Sequence, residues 1–429
     1  MKRSRYTLQA KGIDGVYLAN TSTGIGGYYP MEALSFLKGA KEDNSVRDRL
    51  IKDGHLIVDS IDEQKLAHQD QLSYFFRNDI LHLIIMPTEK CNFRCTYCYE
   101  KFEHGEMRPD IRSGIKKLVE SRAADLKHLR ISWFGGEPMM AGAIVLELSK
   151  HFKKLAEKFG FSYSAHATTN GYYLTPGDIE SYLDLGIKDY QITLDGTEEH
   201  HDTKRKLIDG GETFRKIWDN LIYMQGLDIV FKVSIRINLD QENQPFALKF
   251  IKQLGQTFGN DPRFVLHLHK VGKWGGENDE SLDIFKSDAD PLLDLYHEGK
   301  GCGLQPEISG LSLGSLTCYA ALPYSFLIRS DGRLNKCTIA LDDPLNQVGR
   351  LLSDGTMQIN QDKFKPWVMD NALNDTGCQA CSLRPACQGA ACPLIRLQTG
   401  EQPCPDLKKE FKSYLPLMFD SLPQLGVIL

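Results

Sequence analysis

From residue 81 to residue 270, short apolar stretches rich in β-branched and aromatic residues alternate with longer stretches of helical pattern. The strand candidates are Leu81 to Met86, Leu129 to Phe134, Tyr163 to Thr168, Tyr190 to Leu194, Val230 to Ile237 and Phe264 to His269. Between them lie the helix candidates Ile111 to Ser121, Ala143 to Lys158, Pro176 to Leu185, Thr213 to Gln225 and Pro245 to Thr257. Strands separated by helix-length segments are joined by crossovers, so the pattern implies an α/β fold with a parallel sheet. Six such units suit an open, partial (β/α)6 barrel, with functional groups at the C-terminal ends of the strands.

The chain of 429 residues is long enough for roughly two or three domains, and 41% hydrophobic with 25% charged residues is an ordinary globular balance. A net charge of -5 and a pI near 6.2 argue against a broad nucleic-acid footprint, which needs clustered Lys and Arg. There is no secretory pattern at the front and no run of 18 apolar residues, so a cytoplasmic protein without a membrane span is expected. Eleven cysteines in such a chain point to metal or redox chemistry, and an odd count fits disulfides badly.

Cys91, Cys95 and Cys98 form a C-x3-C-x2-C run directly after the first apolar strand candidate. Three thiolates on one short loop suit a centre that wants soft ligands. A closed structural zinc site takes four ligands, whereas a four-iron cluster held by three cysteines keeps one iron open. About forty residues later, Trp133-Phe-Gly-Gly-Glu-Pro follows the next strand candidate. Gly135 and Gly136 let the backbone approach a ligand closely, and Glu137 can accept hydrogen bonds from an ammonium group. Thr168-Thr-Asn-Gly and Ile192-Thr-Leu-Asp-Gly end the following two strands in the same manner.

These motifs resemble the radical S-adenosylmethionine (radical SAM) superfamily. Tyr97 occupies the aromatic position that the family carries before its third cysteine. The resemblance implies that Cys91, Cys95 and Cys98 hold a [4Fe-4S] cluster whose open iron is chelated by S-adenosylmethionine, and that one electron splits the sulfonium to give a 5'-deoxyadenosyl radical. By the same match, Gly135, Gly136, Glu137 and Pro138 form the GGEP motif that binds the cofactor's amino group. Thr193 and Arg205 fall to its carboxylate and ribose side, Arg205 offering a planar fork for a carboxylate. Asn170 is assigned to the cofactor as well; Asp195, like Asn170, also reads as a turn former before glycine.

The remaining eight cysteines follow residue 300: Cys302, then Cys318-x13-Gly332-x4-Cys337, then Cys378-x2-Cys381-x5-Cys387-x4-Cys392, and Cys404. The array resembles the SPASM domain, a C-terminal extension with two auxiliary four-iron clusters. It departs from the usual pattern by one extra residue between Cys387 and Cys392. The family's crossed pattern implies Cys302, Cys318, Cys337 and Cys392 for auxiliary cluster I, and Cys378, Cys381, Cys387 and Cys404 for auxiliary cluster II. With the first, that makes three [4Fe-4S] clusters. Four-cysteine zinc sites are the alternative. This C-terminal region shows little long periodicity, so metal sites are expected to hold it together as much as apolar burial.

The expected division is a small α+β domain over 1-80, the radical SAM barrel over 81-275, a linker over 276-301 and the SPASM domain over 302-429. The first of these resembles winged-helix-like leader-binding modules of peptide-modifying radical SAM enzymes; a plain extension packed on the barrel is the alternative. Gly272 to Asp290 reads as an exposed connection. The architecture implies a peptide maturase that forms a thioether, carbon-carbon or ether cross-link in a precursor peptide with a leader sequence, supplied with electrons by flavodoxin or ferredoxin. A formylglycine-generating sulfatase-maturing enzyme is the second enzyme reading, weakened because Thr338 stands where those enzymes resemble one another in an aspartate. A non-catalytic iron-sulfur electron carrier is the reading from another class. His267 and His269 alternate on a late strand candidate; satisfied histidines on a partly exposed face are the expected reading, with substrate contact from the barrel interior as the alternative.

Overall fold

A computed structural model describes residues 1-42, 44-285, 291-308, 316-369, 375-405 and 408-419. It resolves into two compact units, one of residues 78-307 and 324-364, the other of residues 1-77, 308-323 and 365-429.

The larger unit is built on six strands, β1 (Ile80–Ile85), β2 (His128–Trp133), β3 (Ser162–Thr169), β4 (Ile187–Thr193), β5 (Lys232–Leu239) and β6 (Phe264–Lys270). They lie side by side in chain order and all pair in parallel. Each crossover contains a helix: α1 (Pro109–Arg122), α2 (Gly142–Phe159), α3 (Pro176–Asp184), α4 (Phe214–Gln225) and α5 (Gln244–Phe258), with α6 (Leu292–Gly301) after β6. Proline at the first turn of α1 and α3 suits positions whose N–H has no intrahelical partner.

Alternation along the strands separates two faces. Leu81, Leu83, Leu129, Ile131, Ile192, Ile235 and Leu266 form an apolar set, buried against the helices. Ile192 packs beside Ile217 of α4 at Gly171, and Leu266 beside Ile251 of α5 at Gly299 of α6. The residues between them are largely polar: His82, Ser132, His166, Thr168, Asp189, Gln191, Lys232, Ser234, Arg236, Asn238, His267 and His269. Register places these in rows across the inner face, for instance His166 beside Asp189 and Asp189 beside Lys232. His82 is bracketed by the hydroxyls of Ser325 and Ser132, each 3.0 Å from a ring nitrogen. Its burial pushes the imidazole down to about 3, so it is neutral at pH 7.

The sheet continues past the expected six strands. Gln305–Pro306 adds in parallel beside β6 and Ser325–Ile328 in parallel beside β1, followed by three antiparallel strands, Arg333–Asn335, Gln347–Leu351 and Met357–Ile359. Part of the cysteine-rich region is therefore ordinary sheet with an apolar interior, since Leu327, Ile328, Leu334 and Val348 are fully buried.

In the second unit, Thr7–Lys11, Gly15–Asn20 and Ile25–Pro30 make an antiparallel sheet, over a core of Val16, Leu18, Tyr29, Phe36, Leu50 and Leu56. Ile25–Pro30 escapes sequence reading because two glycines and a terminal proline mask it. Helices Ser45–Lys52 and Glu63–Phe75 begin at Asn44 and Asp62, whose side chains accept from two backbone amides each. The second of these grips the cysteine turns. Gln64 donates to the Gln379 carbonyl at 3.0 Å, Gln71 donates to the Gln388 carbonyl at 2.9 Å, and Arg384 donates to Gln71 at 2.9 Å. Helix Phe411–Phe419 packs on the three-stranded sheet.

Candidate active site

The cysteine loop leaves β1 at its C-terminal end and returns through a short strand, Phe93–Cys95, paired antiparallel with Arg205–Leu207. This register sets Arg205 directly across from Cys95. The loop is fixed at three further points. The amide of Thr96 donates to the Lys204 carbonyl at 3.0 Å, that of Ile208 to Asn92 at 2.8 Å, and that of Glu137 to Lys90 at 2.9 Å. Buried Glu89 receives both Nε (3.2 Å) and Nη2 (2.5 Å) of Arg329, a fork-to-carboxylate pair just before the first cysteine.

Cys91, Cys95 and Cys98 are free thiols close enough to influence one another's ionisation. The Phe93 amide points at Cys91 Sγ, 3.3 Å away. Burial pushes the Cys98 thiol up to about 12, with the nearby Glu100 carboxylate and Cys95 thiol adding to it. Among the described residues no group of His, Cys, Asp or Glu is arranged to hold a single metal ion. A cleft of about 490 Å³ opens beside Cys95 and Cys98, with Glu100, Phe102 and Glu277 on its walls. The connection after β6, expected to be merely exposed, reaches this loop. At Gly276 a Cβ would sit 2.7 Å from the Cys98 carbonyl oxygen. Residues 286-290 of that connection lie outside the described residues.

Gly135 and Gly136 follow β2 against the same loop. Gly135 has φ +121°, and a Cβ there would lie 2.3 Å from the Thr88 carbonyl oxygen; at Gly136 one would lie 2.4 Å from the Lys90 carbonyl oxygen. Glu137 is fully buried, and its carboxylate accepts from Met139 N (2.9 Å), Thr169 Oγ1 (2.7 Å) and Asn170 N (2.6 Å). Burial raises its pKa, while these donors and the charge of Arg205 work the other way. Pro138 opens a short 3-10 turn, Pro138–Ala141, that leads into α2. The Asn170 side chain donates to Asn92 at 2.9 Å and accepts from Tyr172 N at 3.0 Å, so its turn-forming role and its tie to the cysteine loop coexist.

Tyr97 is the hub of the opposite wall. Its hydroxyl accepts from Arg205 Nη1 at 2.6 Å and Asn238 Nδ2 at 3.1 Å and is hydrogen-bonded to Asp195. Asp195 also accepts from the Asn238 amide at 2.8 Å. Burial works against the Arg205 charge, but Cys95, Tyr97 and Asp195 outweigh it and hold the guanidinium charged. Its Nε is buried with no partner among the described residues. Thr193 ends β4 on the inner face beside Arg236. Sequence reading missed Asn92, Thr169 and Asn238; for Asn238 the polar residues at alternate positions of β5 carry a signal.

The structure thus gathers Cys91, Cys95, Cys98, Tyr97, Gly135, Gly136, Glu137, Pro138, Asn170, Thr193 and Arg205 at one end of one sheet. Three unpaired thiols, two side-chain-free glycines against their loop, a buried carboxylate and an unpartnered guanidinium nitrogen fit an iron-sulfur cluster carrying a zwitterionic amino acid.

In the same unit, Cys302 closes α6 against Gly255 of α5 and Gly259 just after it. Buried Cys337 donates its amide to Asn346 at 2.8 Å. In the other unit, Cys318 donates its amide to Ala390 at 2.9 Å and Cys392 caps helix Pro393–Thr399. Cys378, Cys381, Cys387 and Cys404 lie within electrostatic reach of Lys408 or of one another, and Lys408 Nζ is 3.1 Å from Cys404 Sγ.

Residues 85-243 match the family model described as the Radical SAM superfamily. The chain therefore carries a radical SAM domain, which implies a [4Fe-4S] cluster and S-adenosylmethionine. Among curated proteins it is similar to GTP 3',8-cyclase of Clostridium perfringens (strain SM101 / Type A), 29% identical over an alignment of 231 residues that covers 51% of this chain and 66% of that protein. It is also similar to GTP 3',8-cyclase of Psychromonas ingrahamii (strain DSM 17664 / CCUG 51855 / 37), 28% identical over 241 residues, 50% of this chain and 64% of the relative. The chain thus spans just under two thirds of the length of these relatives. Among solved structures, anSMEcpe with bound AdoMet and Cp18Cys peptide superposes with a TM-score of 0.60 at 18% identity, over 79% of this chain and 98% of the other. Streptococcus suis SuiB bound to S-adenosylmethionine superposes with a TM-score of 0.52 at 15% identity, over 95% and 98%. At these identities the likeness is one of fold. No described helix is long and apolar enough to cross a membrane.

Proposed function

We propose that this protein is a radical SAM peptide maturase that abstracts hydrogen from a precursor peptide and closes a thioether, carbon-carbon or ether cross-link. The observation that carries the reading is the extent of structural likeness. The superposition covers 79% of the chain for anSMEcpe, which has a bound peptide, and 95% for SuiB, so the likeness of fold reaches beyond the barrel.

When bound, the cluster and S-adenosylmethionine supply the 5'-deoxyadenosyl radical. The chain's own residues position and shield. Cys91, Cys95 and Cys98 are the cluster ligands; Glu137, backed by Gly135, Gly136 and Pro138, receives the cofactor's ammonium group. Arg205, oriented by Tyr97, receives its carboxylate, with Thr193 and Asn170 alongside. Cys302, Cys318, Cys337 and Cys392 are assigned to auxiliary cluster I, and Cys378, Cys381, Cys387 and Cys404 to auxiliary cluster II, within a SPASM domain over 302-429. Residues 1-80 are read as a winged-helix-like module for the leader, joined to a barrel over 81-275 that is followed by a linker over 276-301. The electron donor is a flavodoxin or ferredoxin, the setting is cytoplasmic, and neither nucleic acid nor membrane is a partner.

Against formylglycine formation stands Thr338, and Asp342, the nearest following carboxylate, is engaged by Arg329 at 2.7 Å. GTP cyclisation is the second reading, favoured by the sequence likeness to the cyclases over about half of the chain. The deciding experiment supplies reduced, anaerobically reconstituted protein and S-adenosylmethionine with either GTP or the peptide encoded by a short reading frame beside the gene. Release of 5'-deoxyadenosine with a peptide lighter by two hydrogens is expected. Consumption of GTP with the peptide unchanged would overturn the assignment.

A further inference from the structure

The inner face of the barrel is largely polar, and several of its charged groups are matched. Lys232 pairs with Glu307, His267 Nδ1 lies 3.5 Å from Glu307, and His166 Nδ1 lies 3.5 Å from Asp189. Toward the C-terminal ends, register puts Thr193, Arg236 and His267 in one row and Asn238 and His269 in the next.

Arg236 donates from Nε to Asn238 Oδ1 at 2.7 Å and has no carboxylate within ion-pair distance among the described residues. Asp195 is the acidic group that influences it, and Asp195 is committed to Tyr97, to the Asn238 amide and, at 3.9 Å, to Arg205. On the adjacent strand, His269 Nδ1 is buried without a partner among the described residues. Burial, Arg236 and His267 keep this imidazole neutral, its pKa pushed down to about 3, while the Lys270 backbone acts the other way. A half-buried guanidinium without a counter-ion and a buried ring nitrogen without a partner are each unfavourable in a folded protein. One oxyanion accepting from both would relieve the two together.

We propose that Arg236 and His269 form an oxyanion site in the barrel wall that takes the carboxylate of an acidic residue, or of a chain terminus, next to the position attacked in the substrate. This rests on the peptide reading for the source of the anion; the site itself rests on the two unmatched groups.

The test is saturation-transfer NMR on reconstituted enzyme loaded with S-adenosylmethionine, using glutarate as probe and uncharged glutaramide as control. Glutarate should bind and glutaramide should not; Arg236→Gln should weaken glutarate by about tenfold or more, while Arg236→Lys retains part of the binding. Iron content and S-adenosylmethionine affinity should be unchanged in both variants, which separates this site from the cofactor's own carboxylate contact and from misfolding. Equal glutarate binding in wild type and Arg236→Gln, or loss of S-adenosylmethionine affinity with glutarate binding intact, would overturn the proposal. Displacement of bound glutarate by acetyl-Gly-Glu-Gly-amide supports both the site and its peptide source. Displacement by GTP alone keeps the oxyanion site and overturns the peptide reading.

Discussion

Arg205 shows how much of this site is set by single side chains. Its backbone is paired across from Cys95, its Nη1 meets Tyr97, and its Nε is left over. A guanidinium can use these separate nitrogens at once, because its fork is planar and rigid; a lysine offers one point charge. Arg205→Lys should therefore keep the cluster but lose part of the cofactor carboxylate contact. S-adenosylmethionine affinity should fall by about tenfold or more, or about 1.4 kcal/mol, in equilibrium dialysis, with iron content at the wild-type level. Loss of iron along with affinity would instead make Arg205 a support of the cysteine loop.

At the scale of elements, the strands and helices of the larger unit were legible because their periods are clear and turn residues bound them. The expected Ala143 to Lys158 is α2, Gly142–Phe159, and the expected Phe264 to His269 is β6, Phe264–Lys270. What stayed hidden was pairing over long sequence distance. Ser325–Ile328 joins β1 more than two hundred residues after it, and four residues of strand carry too little pattern to announce that partner. The same limit explains the histidines. Alternation put His267 and His269 on one face, but only the sheet shows that this face is the inner wall, where His269 is half-buried and its Nδ1 has no partner among the described residues. The site's cysteines and glycines were legible because chemistry and backbone conformation restrict those positions. Its hydrogen-bonded partners Asn92 and Thr169 were not, because nothing local requires them. The turn after β2 gives the element-scale prediction. Alanine at Gly136 would drive a Cβ into the Lys90 carbonyl oxygen at 2.4 Å, in the strand-to-loop passage that carries Cys91. Backbone cannot yield there as a side-chain tip can. Gly136→Ala should lower the iron of the cysteine-loop cluster and its S-adenosylmethionine-dependent paramagnetic signal, with little change in the far-ultraviolet circular dichroism. Full iron and an unchanged signal would show that the loop can shift.

For the whole molecule, the question is whether cysteine ligation at one place depends on ligation elsewhere. The loop of Cys91, Cys95 and Cys98 has anchors that contain no sulfur: the Glu89–Arg329 pair, the pairing of Phe93–Cys95 with Arg205–Leu207, and the Glu137 amide on Lys90. The sheet beneath it closes with a buried apolar set, and Cys378, Cys381, Cys387 and Cys404 belong to a different compact unit with its own buried residues, Trp367, Tyr414 and Leu415. Replacing the three loop cysteines by alanine should thus leave both units folded and remove one centre alone. In anaerobically reconstituted protein, iron should fall from about twelve to about eight per chain. The signal that responds to S-adenosylmethionine should vanish while the other paramagnetic signals persist. Wild-type protein with about four irons and the balance of its metal as zinc would instead mean one cluster, with zinc-held cysteines beyond residue 300.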